Sequence, residues 1–212
     1  MKIGKYTILV FAITISILVF LLLNLLLGSV AIPFRSVWNI LTGGEGDPVA
    51  WQNIILKSRL PQALTALVAG AGLSISGLQM QTIFRNPLAG PSVLGISSGA
   101  SLGVAFVVLL SGQLGGVALS RLGFIGEVAL SIAAIVGALS VMGLIVLASR
   151  KVAGSVTLLI IGVMIGYIAN AVIGVLKFFS VEEDIKAYVI WGLGSFARVS
   201  GNQMMLFVTI MA

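Results

Sequence analysis

Residues 59–104 read RLPQALTALVAGAGLSISGLQMQTIFRNPLAGPSVLGISSGASLGV. Two apolar runs meet here at FRNPLAGPSVLG, where one Arg, one Asn and two Pro interrupt the text. The run before the break, 60–84, carries no charge. It has the roughly 20 apolar residues a helix needs to cross hydrocarbon. The run after it is rich in Gly and Ser, with no charge until Arg121. Asn-Pro initiates turns, and proline biases the residue before it away from helix. The stretch therefore predicts a membrane hairpin: helix, turn, helix.

The rest of the chain agrees. Of 212 residues, 59% are hydrophobic and 8% charged. A soluble domain has about 25% charged residues, so this chain cannot wet a globular surface. Windows 6–34, 60–84, 86–120, 128–149 and 152–176 carry no charge, and 187–212 is broken only by Arg198. They lack the period-two pattern of barrel strands. The expected fold is all-α, a polytopic transmembrane helix bundle of about six spans: 7–27, 62–83, 92–111, 124–148, 154–176 and 191–211. The first apolar run follows two lysines like a signal peptide. Its length and the lack of a small-residue cleavage site favour a retained span. In the link 28–61, GGEGDP reads as a turn and RSVWNIL as a short interfacial helix anchored by Trp38. FFSVEEDIKAY, 178–188, reads as a water-exposed loop or short helix.

In 62–83, Gly70 and Ser74, and Gly72 and Ser76, lie four apart on one helix face, with Gly77 beside them. Such faces let helix backbones approach closely, so this helix is expected at the centre of a bundle. The same text is no dinucleotide loop, because the third glycine position, 75, is Ile.

The absences narrow the function. With neither Cys nor His, the chain lacks thiolate metal ligands, the commonest metal ligand and the commonest general base. No metal site and no catalytic residue is expected. No acid lies within a charge-free window, which argues against a proton-coupled carrier. Glu127 reads as an interfacial residue paired with Arg121, with a proton relay as the lesser reading. No G-x-x-x-x-G-K-[ST] loop is present, so the chain does not itself hydrolyse ATP. The net charge of +6 is dispersed, which fits lipid and loop placement rather than nucleic acid. What remains is a conduit powered from outside, or a partner-binding membrane subunit.

Residues 59–104 resemble the permease subunits of type II ABC importers for ferric siderophores, haem and cobalamin, the FecCD type. The matching residues are Arg59-Leu60-Pro61, Gly70, Leu73, Ser76-Gly77, Gln81, Asn86-Pro87-Leu88-Ala89, Pro91, Leu94-Gly95 and Gly99-Ala100. LLIIGVMIG at 158–166 and WGLGSF at 191–196 are similar to the family's fifth span and the opening of its sixth. The resemblance implies an iron-chelate permease of the prokaryotic cytoplasmic membrane, with the N-terminus and 84–91 on the cytoplasmic side. With the N-terminus inside, five basic residues face in and six face out, so charge alone does not set orientation.

The resemblance further implies a second permease subunit, cytoplasmic ATPases that bind the ATP, an extracytoplasmic substrate-binding protein and the surrounding lipid. It implies no cofactor in this chain. It assigns Arg59, with Lys57 beside it, to docking of the binding protein; Gln62 replaces a second arginine. It assigns Asn86 and Leu88, with Ser155 and Val156, to a cytoplasmic gate. Family members run to about ten spans, so residues 1–212 are expected to be one permease domain truncated at its C-terminus. Two alternatives stand beside this reading: a truncated, non-transporting membrane scaffold, and half of a secondary carrier, for which no second copy is seen.

Overall fold

The computed structural model describes residues 3–44, 48–111, 124–152, 154–196, 199 and 201–211. The described residues are helical, as expected. In order they form α1 (Ile3–Leu26), α2 (Phe34–Leu41), α3 (Val49–Ile54), a π-helical turn (Ile55–Arg59), α4 (Leu60–Phe84), α5 (Ile96–Ser111), α6 (Phe124–Ser149), α7 (Ser155–Phe179), α8 (Glu182–Gly192) and α9 (Gly201–Met211). Four stretches are long and apolar enough to cross a membrane: Gly4–Leu26, Val49–Phe84, Ile125–Ser149 and Ser155–Phe179. Ile96–Leu110 is a shorter apolar helix. Within the helices, hydroxyls are satisfied locally: Thr14, Thr82 and Ser140 donate to the carbonyls of Val10, Leu78 and Val136 at 2.8 to 2.9 Å. A helix in hydrocarbon must meet its polar groups internally in this way.

The chain divides into two compact units, residues 1–72 with 196–212, and residues 73–195. In the first, Leu25 of α1 shares a core with Ile32, with Val37 and Ile40 of α2, and with Ile55 of the π turn. α2 buries Val37 and Ile40 and leaves Phe34 and Trp38 exposed, their rings stacked 6.4 Å apart. That is the geometry expected of an interfacial helix. The second expected span, 62–83, begins earlier than its hydropathy indicates, because helix runs without a break from Val49. Pro61 accounts for the π turn. A proline inside a helix crowds the carbonyl four residues before it, here Lys57, and lacks the amide to bond it. Widening the turn to an i→i+5 bond, Leu60 N–H to Ile55 O, accommodates the ring.

In the second unit two apolar clusters form. One joins Phe84, Ala89, Leu94, Val141, Ile145 and Leu159; the other joins Val104, Ala105, Val108 and Leu109 to Ile173 and Tyr188. Backbone meets backbone where α5 crosses α6. A Cβ on Gly99 would stand 2.7 Å from the Gly137 carbonyl oxygen, and one on Gly103 would collide with the Ala133 carbonyl.

The expected span 191–211 is not one helix. α8 begins at Glu182, with Asp184 buried in its first turn, and ends at Gly192. Gly194 then takes φ +66°, a left-handed conformation that suits glycine and ends the helix. α9 starts only at Gly201. The acidic stretch expected as loop or short helix is thus the start of α8. Tyr188 of α8 is held from two sides, by a side-chain hydrogen bond with Ser101 and by the Lys177 ammonium 4.8 Å from its ring centre. Burial pushes its hydroxyl above the usual tyrosine range, and the Ser101 bond opposes that shift. Residues 45–47, half of GGEGDP, and Arg121, the expected partner of Glu127, lie outside the described residues.

Candidate functional site

The last turn of a helix leaves carbonyls without intrahelical partners, and they form the negative end of its dipole. At the end of α1 those carbonyls meet Arg59. Ile55, Arg59 and Ala63 are spaced four apart and all are buried, so this strip faces inward. Arg59 Nη1 donates to the Leu25 carbonyl at 2.6 Å and to that of Leu26 at 3.1 Å, and Nη2 donates to the Val30 carbonyl. Gly28 leaves room for the fork; a Cβ there would stand 2.6 Å from Nη2. Only 7% of Arg59 is exposed. Lys57, two residues earlier, is exposed. The Gln62 amide donates to Ser58 Oγ at 2.9 Å. Of the two docking candidates, the structure places Lys57 in the open and the Arg59 guanidinium against the backbone of α1.

The second site is the turn after α4. The Asn86 N–H reaches the Gln81 carbonyl at 3.1 Å and the Arg85 N–H that of Thr82 at 3.3 Å. Those two bonds, with Arg85 at φ +48°, make a Schellman ending in which Arg stands where glycine is usual. Asn86 Oδ1 then accepts the Leu88 N–H at 2.9 Å. This closes an Asx turn around Pro87. Further bonds, from the Ala89 N–H to the Asn86 carbonyl and from the Gly95 N–H to that of Ser92, carry the chain to α5. Gly95, at φ +73°, lies on α7; a Cβ there would stand 2.6 Å from the Gly162 carbonyl oxygen.

Ser155 and Val156 open α7 after Gly154, whose φ is +128°. The turn and the start of α7 share one end of this unit, joined through Ala89, Leu94 and Leu159. Leu88 is 81% and Val156 65% exposed, so both point away from that shared core. The four gate candidates thus lie at one end, with Asn86 spent on the turn and Leu88 and Val156 presented outward.

A methyl group added at Gly70 or Gly77 would meet open space, and Ser76 Oγ bonds within its own helix to the Leu73 carbonyl. Within this chain, backbones approach closely at Gly99, Gly103 and Gly137 and at Gly95 and Gly162. The Gly and Ser residues of the expected span 92–111, Gly95, Gly99 and Gly103 among them, read from sequence as letting that span pack deep in the bundle; their partners Gly137 and Gly162 were not singled out, although Gly162 and Gly166 carry the four-residue spacing that marked α4. Sequence reading also missed Gly28, for which no local signal exists. Among α5, α6 and α7 lies an open cavity of about 670 Å³ lined by Leu102, Phe106, Ile132, Val136, Ile165 and Val172. Among the described residues that line it, none is charged.

Residues 16–212 match the FecCD transport family. A probable iron chelatin transport system permease protein of Helicobacter pylori is 41% identical over 149 residues, covering 69% of this chain and 41% of that protein. The hemin transport system permease protein HmuU of Yersinia pestis is 32% identical, covering 85% and 51%. The molybdate import system permease protein MolB of Haemophilus influenzae is 30% identical, covering 98% and 59%. The chain thus spans about half the length of these relatives. A solved structure described as an inward-facing metal-chelate type ABC transporter superposes with a TM-score of 0.75 at 28% identity, covering 97% of this chain and 59% of that one.

Proposed function

The chain belongs to the FecCD transport family, and from that premise we propose that it is a membrane-spanning permease subunit carrying an iron-chelate substrate across the cytoplasmic membrane. A second permease subunit completes the pathway. ATP is bound and hydrolysed by separate cytoplasmic subunits, and an extracytoplasmic binding protein delivers the substrate to the face that carries Lys57. Asn86, Leu88, Ser155 and Val156 form the inner gate. The N-terminus lies in the cytoplasm.

One observation carries this reading. Among the described residues, Glu127 in the first turn of α6 is the one acid within the four candidate spans, and the sequence has no phosphate loop. Yet the turn at 84–95 is tied down by successive backbone bonds at the end where α7 begins. A conduit without its own energy source, with a fixed turn at one end, suits being driven from that end by a partner. The iron chelate is favoured by the 41% identity to the Helicobacter protein. The haem and molybdate names of other relatives mark the competing cargoes.

The test is uptake in cells lacking their own permeases and supplied with the complete gene and its partner subunits. A radiolabelled ferric siderophore is expected to accumulate, and to stop accumulating when the partner ATPase is inactivated. Uptake of haem, cobalamin or molybdate in its place would overturn the cargo. Uptake of none would overturn transport.

A further inference from the structure

An arginine offered to a partner protein keeps its guanidinium in solvent. Arg59 does the reverse. Its donors span three carbonyls, those of Leu25 and Leu26 in the last turn of α1 and that of Val30 beyond it. A guanidinium carries five donors in a planar fork, so one side chain can bridge all three where an ammonium on a flexible stem cannot hold them together. The surroundings are shaped to it. Gly28 leaves the space that Nη2 fills, and Ile55, on the same strip one turn earlier, is fully buried beside Leu25. Lys57 points out of this core.

We propose that Arg59 is a positioning residue: it clamps the end of α1 and the segment 27–30 to the start of α4, and leaves Lys57 as the cation presented outward. The docking of a binding protein at this face rests on the function proposed above; the clamp does not. Arg59 contributes its charge to the α1 carbonyls, and its effect on any partner is exerted through the shape of the segment it holds.

The test uses the full-length permease in lipid nanodiscs, with neither substrate nor partner, so it stands apart from transport. Arginines are modified with phenylglyoxal and located by mass spectrometry, and amide hydrogen exchange is followed in parallel. Arg59 is expected to react at least about tenfold more slowly than exposed Arg35, since reaction requires breaking charge-assisted hydrogen bonds. Gly28→Ala keeps Arg59 but fills its seat, and is expected to raise Arg59 reactivity about tenfold. Arg59→Gln and Arg59→Lys are both expected to speed exchange across 25–32, and Lys57→Gln to leave it unchanged. The Lys variant is decisive, because it keeps the charge and loses only the fork. Protection of 25–32 retained in Arg59→Lys, or Arg59 reacting as fast as Arg35, would overturn the clamp. Should Arg59→Gln fail to fold, Gly28→Ala still decides through Arg59 reactivity.

Discussion

Arg85 is a residue in an unfavourable place for a reason that can be tested. Its φ of +48° puts Cβ near the following carbonyl, at a cost of about 1–2 kcal/mol that glycine escapes. The Schellman bonds of Arg85 and Asn86 hold it there. Arg85→Gly is therefore expected to raise thermal stability in detergent by roughly 1 kcal/mol, less the unfolded-state entropy of the added glycine. A drop in melting temperature would show that the guanidinium itself contributes more than the strain. At this scale the sequence was partly legible. Asn-Pro announced the turn that Asn86 closes. The burial of Arg59 was not announced, because its partners are backbone carbonyls about thirty residues away, and every residue type has a carbonyl.

Among the elements, α2 joins two surfaces. Val37 and Ile40 enter the core with Leu25, while Phe34 and Trp38 stack on the open side beside exposed Arg35. Aromatic rings of this kind settle at the headgroup level of a bilayer. With Trp51 and Trp191 changed to Phe, Trp38 fluorescence is expected to be quenched more by lipids brominated near the headgroup than by lipids brominated at the chain end. Quenching by aqueous iodide alone would place α2 in water, and no quenching by either would place it against protein. The helix was legible in RSVWNIL with Trp38 as its anchor, as were α1, α6 and α7 from their lack of charge. The π turn was hidden, since Pro61 signals an interruption and not its form. The break after α8 was hidden because Gly192 and Gly194 sit in apolar text that reads as one span. Glycine spacing drew attention to α4, whereas the crossing at Gly99, Gly103 and Gly137 is where backbones meet.

For the molecule as a whole, hydropathy is decisive because the bilayer is a strict solvent. Every spanning backbone must satisfy its own hydrogen bonds, and charge gaps therefore map onto helices. Orientation is less legible, since basic residues divide almost evenly between the two faces. The function proposed above sets the N-terminus in the cytoplasm, and the absence of cysteine makes a direct check simple. In intact cells a membrane-impermeant maleimide is expected to label Glu183→Cys and to label Leu88→Cys only after permeabilisation. The reverse pattern would invert the topology. The cargo is the least legible feature. Among the described residues that line the cavity among α5, α6 and α7 none is charged, so none marks the cargo proposed above.

The clamp at Arg59 also bears on the order in which the protein is made. α1 leaves the ribosome before Arg59 does, with its terminal carbonyls not yet answered by it. Their partner is encoded 34 residues after Leu25, behind α2 and the segment to α3. Until Arg59 emerges, the end of α1 lacks that contact; once it arrives, the end of α1 is held to the start of α4. A nascent chain stalled before residue 59 would lack the contact that fixes the end of α1.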